Sequence, residues 1–424
     1  MNNAIPPFSL YFHVPFCQVR CAYCDFNTYA GLDNLMAPYA RALAKEIRQV
    51  GAAGRRPVAH TIFFGGGTPS LLPLELHAEI FAALRESFQL MPDCEITLEA
   101  NPGTVNRAYL AGLRELGVNR LSFGVQSSHP HELRLLDRLH LFGDVVQAVT
   151  WARKADFNNL NLDLIFAIPQ QTLAMWQTTL NRALALGPDH LSCYALSLEH
   201  GTPLRAWVYR GLLPMPDPDL AAEMYEWASE RLEQCGYVQY EISNWARWKD
   251  EGLLRRMKDE GESGGFILPP SSFILACTHN LQYWRNLPYL GLGAGAHGYV
   301  PSTLLRGSST NDYRYSNVLA PAAYIERIER GGSEPFPFSP AVREKIPVTT
   351  EDAMGETMMM GMRLVGEGVS SINFESRFGV TLNEQYGKKL RHLRELKLIE
   401  WEGERVRLTR GGRLLGNRVF REFV

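Results

Sequence analysis

Three cysteines crowd into one short stretch, Cys17-Gln-Val-Arg-Cys21-Ala-Tyr-Cys24, a C-x3-C-x2-C spacing. A loop of that length can bring three thiolates to three corners of an iron–sulfur cube, and such clusters usually take four cysteines. No fourth cysteine lies close by, so one iron of such a cube stays open to an outside ligand. Zinc is the competing reading. A structural zinc site closes with four protein ligands, and His13 can complete that set. The chain carries seven cysteines, an odd number, and this crowding reads as metal binding rather than a disulfide scaffold. Cys94, Cys193 and Cys235 stand in strand or helix contexts and are expected as buried apolar fillers.

The elements that must position this loop are legible as alternating β-rich runs and amphipathic helices up to about Gly236. Strands are expected at Leu10–Val14, His60–Phe64, Glu95–Glu99, Arg120–Val125, Leu160–Ile168 and His190–Leu196. Between them the apolar spacing is helical: Tyr39, Leu43, Ile47 and Val50; Leu76, Ile80, Leu84 and Phe88; Val105, Tyr109, Leu113 and Leu116. Six β–α units in series imply parallel strands joined by helical crossovers. An α/β fold built as a partial (β/α)6 barrel fits best, with a doubly wound sheet as the rival. The residues with chemical character cluster where strands end: Cys17–Cys24, Gly65–Ser70, Glu99–Gly103 and Gln126. In parallel α/β architectures those edges face one crevice.

Apolar residues make up 46% of the 424 and charged residues 21%, with a net charge of −2. That balance is of an ordinary globular chain and leaves no basic footprint for nucleic acid. The N-terminus has neither the charge nor the apolar run of a signal peptide, and no apolar stretch reaches the roughly 18 residues of a membrane span. A cytoplasmic protein is expected. Three segments are anticipated: 1–236 as the core barrel, 237–346 as a bridging segment, and 347–424 as a smaller, mostly helical, winged-helix-like domain. A surface insertion at 247–276 interrupts the second, charged in its first half and carrying twin Phe-Ile-Leu runs in its second. Those runs leave a peripheral membrane or protein contact open, and a homodimer is equally compatible. In the last segment Met354, Met358 and Met362 recur at four-residue steps, the spacing of a core-facing stripe.

The run Tyr11–Phe26, with Tyr-Phe-His-Val-Pro-Phe leading into the cysteines, resembles the cluster loop of radical SAM proteins, and within them the coproporphyrinogen-oxidase-like branch. The resemblance implies a radical SAM barrel and a [4Fe–4S] cluster on Cys17, Cys21 and Cys24. It also implies S-adenosylmethionine chelating the open iron, where an injected electron can generate a 5′-deoxyadenosyl radical; the cofactor carries that chemistry and the protein positions it. Gly65-Gly66-Gly67-Thr68-Pro69 matches the family's glycine-rich motif, whose backbone can approach a ligand closely and offer N–H groups to the methionine end of the cofactor. Glu99, Gln126, Arg138 and Asp163 match further cofactor contacts, and Tyr11 and Tyr23 match ring or hydroxyl contacts. A charged Asp163 inside an apolar strand needs a partner in any case. Ala167 and Gln170 depart from the family, standing where glycines are usual.

Two departures narrow the branch. The family's oxidases carry a further cysteine two residues after the third ligand, where this chain has Phe26, and a long segment before the cluster. Both point to the HemW-type haem chaperones, whose His-Asn-x-x-Tyr-Trp appears as His279-Asn-Leu-Gln-Tyr283-Trp284. That resemblance implies haem as ligand, with His279 supplying an axial imidazole, and transfer to haem-accepting, respiratory proteins. Cys277 and His297 are secondary candidates at the haem. The rival function is oxygen-independent oxidation of coproporphyrinogen III, so whether the chain is an enzyme stays open at this point.

Overall fold

A computed structural model of the chain describes residues 7–249, 274–305, 311–332 and 334–424. Most of the insertion read at 247–276 lies outside the described residues. The main strands are β1 Phe8–Val14, β2 Val58–Gly66, β3 Gln89–Ala100, β4 Arg120–Gln126, β5 Leu160–Phe166, β6 His190–Ala195, β7 Tyr237–Glu241, β8 Asn244–Arg247, β9 Tyr289–Leu292, β10 His297–Val300, β11 Asp312–Asn317 and β12 Val342–Val348. All six strands expected from the sequence form. By compactness the chain divides into two units: Met1–Pro188, Tyr194–Ala221 and Pro288–Pro347 make the first, and Asp189–Cys193, Ala222–Leu287 and Val348–Val424 the second. The segment 237–346, read as a bridge, is divided between them.

In the first unit the strands run in the order β12-β11-β10-β9-β1-β2-β3-β4-β5. From β1 to β5 every neighbouring pair is parallel and the spatial order follows the chain order. That order distinguishes the two architectures. A doubly wound sheet reverses its strand order at a switch point; here there is no reversal, and right-handed crossovers taken in one direction put their helices on one face, as in a barrel. The sheet is partial rather than closed, because β1 pairs on its other side with β9, again parallel, and β10 and β11 follow antiparallel.

The strands form because their runs are apolar almost throughout, as parallel strands covered on both faces require. Phe8, Leu10, Phe12 and Val14 on one face of β1 are fully buried. The crossover helices are α1 Met36–Ala53, α2 Leu74–Ser87 and α3 Arg107–Leu116. Each turns its apolar stripe inward; Tyr39, Leu43, Ile47 and Val50 are all buried. α3 starts where the Asn106 side chain accepts from the Tyr109 N–H and stops at Gly117, whose φ of 107° suits glycine.

Glu46, on the buried face of α1, fixes the added strands. Its carboxylate accepts from Gly293 N at 2.8 Å, Tyr324 Oη at 2.6 Å, Ser339 Oγ at 2.5 Å and Asn317 Nδ2 at 3.4 Å. Burial raises its pKa while these donors oppose the rise.

The second unit has its own core. β8 pairs antiparallel with both β6 and β7. Towards the C-terminus, helices Thr350–Gly361, Ser371–Phe378 and Leu382–Glu395 pack with the hairpin Ile399–Glu402 and Arg405–Leu408, whose second strand pairs with Val369–Ser370. This is the helical, winged arrangement expected. Met354, Met358 and Met362 are buried in its core together with Phe374, Leu390 and Val406. Capping boxes at Thr349 and Thr381 start two of the helices. Among the described residues no helix is long and apolar enough to cross a membrane.

Candidate cofactor site

The cysteine loop leaves the end of β1 and is closed at its base. Phe16–Cys17 pairs with Tyr29–Ala30, and Tyr29 N donates to Pro15 O at 2.8 Å. Inside the loop Cys24 N donates to Cys21 O at 3.1 Å, a tight turn that keeps those two side chains neighbours. All three thiols are half-buried. Burial pushes the Cys17 thiol up to about 11 and raises Cys24 as well, so without metal these groups hold their protons. Binding metal therefore releases protons.

Three other strand ends reach this loop through one chain of hydrogen bonds. Thr68, after β2, points its hydroxyl at Cys17 Sγ at 3.7 Å. Asn101, after β3, donates from Nδ2 to Thr68 Oγ1 at 3.1 Å and accepts from Arg138 Nη2. Arg138 also donates from Nη2 to Gly124 O in β4 at 2.6 Å, and from Nη1 to Cys21 Sγ at 3.5 Å. A guanidinium and a hydroxyl thus face two of the three sulfurs, which stabilises negative charge there. Arg138 Nε is buried with no acceptor among the described residues. A cleft of about 280 Å³ opens beside it, lined by Cys21, Asn101, Thr104, Arg138 and His140.

Asn101 and His140 were not singled out by sequence reasoning. His140 donates to Val125 O at 3.1 Å, and burial lowers its pKa to about 4, with the Arg138 charge adding to the effect. It is a neutral wall of the cleft at ordinary pH. Asn101 has a faint signal, lying in the same strand-end stretch as Glu99.

The acidic residues sit deeper. Glu99 accepts from Gly66 N at 3.2 Å, and burial, reinforced by the nearby Asp163 charge, pushes its pKa up to about 8. Asp163 has the partners its strand position demands: Ser122 Oγ at 2.7 Å and Asn161 Nδ2 at 2.8 Å. Gln126, at the end of β4, takes a φ of 65°. Tyr23 packs against the small core of Ala22, Leu136, Ile165, Ile168 and Leu204 beneath the cysteine loop.

The glycine motif behaves differently from expectation. Its N–H groups are consumed within the protein: Gly66 N by Glu99, Gly67 N by Val14 O at 2.8 Å, and Thr68 N by Phe16 O at 2.7 Å. The glycines are required because the motif presses on the stem of the cysteine loop. A Cβ on Gly66, with φ of 109°, would lie 2.4 Å from the His13 ring, and one on Gly67 would lie 2.6 Å from Phe16 O. The segment straps the loop down rather than presenting free donors.

His13 bears on the zinc alternative. Its Nε2 donates to Asn27 O at 2.9 Å and its Nδ1 accepts from Tyr11 Oη at 3.0 Å. Both nitrogens are engaged, so His13 is unavailable as a fourth ligand without rearrangement. Among the described residues no group of three or more His, Cys, Asp or Glu side chains, the three loop cysteines included, is drawn together as a metal-ion site. The loop offers three thiols, with hydrogen-bond donors behind two of them, one ligand short of the four that a closed zinc site takes.

The histidine motif belongs to the second unit, on helix Thr278–Trp284. His279 is 1% exposed, its Nε2 lies 2.9 Å from Tyr283 Oη, and the two rings meet edge-to-face at 5.0 Å. An axial role through Nε2 requires that nitrogen to leave Tyr283. Cys277 is buried as well, and His297, in the first unit, is exposed. Of the other cysteines, Cys94 and Cys193 are buried as expected and Cys235 only half-buried.

Comparison with known proteins accords with this geometry. Residues 11–183 match the Radical SAM superfamily and residues 348–415 the HemN C-terminal domain. The heme chaperone HemW of Bacillus subtilis is 36% identical over 98% of this chain and 99% of its own length. This chain belongs to the HemW heme chaperone family. The HemW of Mycobacterium tuberculosis is 35% identical over 98% of this chain and 94% of that protein. A bovine relative named radical S-adenosyl methionine domain-containing protein 1, mitochondrial, is 34% identical over 93% and 84%. Coproporphyrinogen III oxidase (HemN) from Escherichia coli, a radical SAM enzyme, superposes with a TM-score of 0.77 at 23% identity, covering 98% and 90% of the two chains. The HemW fold seen here is therefore the radical SAM fold with a HemN-like C-terminal part.

Proposed function

We propose that this chain binds haem and delivers it to haem-dependent acceptor proteins, respiratory ones among them, in the cytoplasm. The carrying observation is the near-full-length likeness to proteins named heme chaperones, joined to Phe26 at the position where the family's oxidases have a cysteine. Phe26 is 66% exposed beside the cysteine loop.

In this reading Cys17, Cys21 and Cys24 hold a [4Fe–4S] cluster with an exchangeable S-adenosylmethionine. When bound, that pair supplies one-electron chemistry, or a ligand-sensitive state that gates haem transfer. The chain's own residues then have distinct tasks. Arg138 and Thr68 stabilise charge on the sulfurs of Cys21 and Cys17. Gly66, Gly67 and Thr68 hold the loop against β1. Glu99, Asp163 and Gln126, with Tyr11 and Tyr23, would contact the S-adenosylmethionine. A Glu99 carboxyl with pKa near 8 can donate or accept a hydrogen bond according to what is bound. His279 is the axial haem ligand of this reading.

The test presents haem and coproporphyrinogen III separately to anaerobically reconstituted protein. Haem uptake, passage to an apo-acceptor and no carbon dioxide release are expected. Carbon dioxide from coproporphyrinogen with reductant and S-adenosylmethionine would make the chain an oxidase.

A further inference from the structure

A cleft of about 380 Å³ in the second unit has no part in the cofactor site. That volume is at the small end of ligand pockets, which run from roughly 300 to 1,000 Å³. Its wall combines two chemistries. Trp284, the last residue of the histidine-motif helix, faces it together with the buried Phe374 and Val369. Three arginines, Arg285, Arg377 and Arg405, line it against a single carboxylate, Glu367.

The arginines are not equivalent. Arg285 is committed to Glu367, meeting its oxygens at 2.7 and 2.9 Å through Nη2 and at 3.0 Å through Nε. Arg405 donates to the Glu367 main-chain carbonyl at 2.8 Å, and Arg377 to Asn286 O at 3.1 Å. Both are exposed, so their guanidinium groups keep donors within reach of solvent. Helix Ser371–Phe378 opens at the same wall, with Ser370 as its cap and Asn373 in its first turn, adding positive potential. Trp284 Nε1 is a buried donor with no acceptor among the described residues, a group that ordinarily finds a partner.

An aromatic side chain beside exposed guanidinium groups suits a flat ligand that carries carboxylates at one edge. The geometry points to this cleft as the seat of the propionate edge of haem, with Arg377 and Arg405 taking the carboxylates and Trp284 bearing on the ring. The inference rests on the haem reading above and adds to it a second contact surface, apart from the buried His279.

The experiment titrates the full-length chain with haem and with haem dimethyl ester, whose two carboxylates are capped. The unsubstituted chain is expected to prefer the diacid by about tenfold or more, as charge-assisted pairs imply. Arg377→Gln combined with Arg405→Gln should remove that preference while leaving the ester's affinity alone. Trp284→Phe should weaken both ligands severalfold. Haem binding that is tight but indifferent to esterification and to both arginine changes overturns the cleft and leaves the haem reading standing. A chain that binds neither porphyrin overturns both. Should the double variant lose its cooperative melt, Arg405→Gln alone carries the test, because Arg377 also donates to Thr357 Oγ1 at 3.4 Å and so ties more of the fold together.

Discussion

Arg138 donates through Nη1 to the sulfur of Cys21 at 3.5 Å, although 117 residues separate them in the chain. The contact places a fixed cation behind one sulfur of the cysteine loop and joins that loop to β4 through Gly124. Groups behind a metal ligand typically govern affinity by factors of about 10 to 100. Arg138→Gln leaves a shorter, neutral donor and removes the charge. It is expected to assemble the cluster chromophore and then lose it to chelator about tenfold faster than the unsubstituted chain. Equal decay rates would mean that Arg138 serves only the fold.

Glu99 sets a pH dependence with a definite sign. Its folded pKa near 8 lies above the ordinary 4.5, because burial and Asp163 disfavour the anion. The folded chain therefore holds a proton that the unfolded chain releases. The resulting stabilisation is complete below pH 4.5 and is lost as pH rises through about 8. For the cluster-free protein the melting temperature should fall across that window, and Glu99→Gln should flatten the fall. A variant with the same slope as the parent would assign the dependence to other groups.

These two sites differ in how far the sequence announces them. The parallel strands are legible because β1 to β5 are apolar runs ending in chemically marked loops, and Arg138 follows from likeness to a family. The role of the glycine motif is not: nothing in Gly65–Thr68 says that its N–H groups go to Val14, Phe16 and Glu99. Asn101 escapes because a neutral amide before Pro102 reads as turn chemistry. The added edge of the sheet escapes for another reason. β9 and β10 are four residues each, and Glu46 on a distant helix holds Gly293, just past β9, and Asn317, at the end of β11. Such long-range satisfaction of a buried carboxylate leaves no periodic trace.

Ala167 and Gln170 show what a missing glycine does. Both stand after β5 where the family resemblance leads to an expectation of glycine, and both have positive φ, 58° and 70°. An L-residue pays roughly 1–2 kcal/mol there, against a glycine entropy cost of about 0.5–1 kcal/mol. Ala167→Gly is expected to stabilise the first unit by about 0.5 kcal/mol, read as a higher denaturant midpoint with an unchanged slope. A lower midpoint would mean that the Ala167 methyl, 8% exposed, contributes more by packing than it costs in strain.

The last prediction concerns His279, whose ring nitrogen and the Tyr283 hydroxyl lie 2.9 Å apart inside the second unit. If Nε2 ligates haem iron, it must first give up this contact, worth about 1 kcal/mol net. Tyr283→Phe removes the competitor and should tighten haem binding about fivefold, the factor that free energy represents. His279→Ala should weaken binding and move the Soret band, since an axial nitrogen is lost. A purely structural His279 gives another pattern: both variants melt earlier, with the Soret position of bound haem unchanged in each. Spectrum and stability measured on the same two proteins therefore separate a ligand that is held in reserve from a histidine whose bond to Tyr283 is its whole purpose.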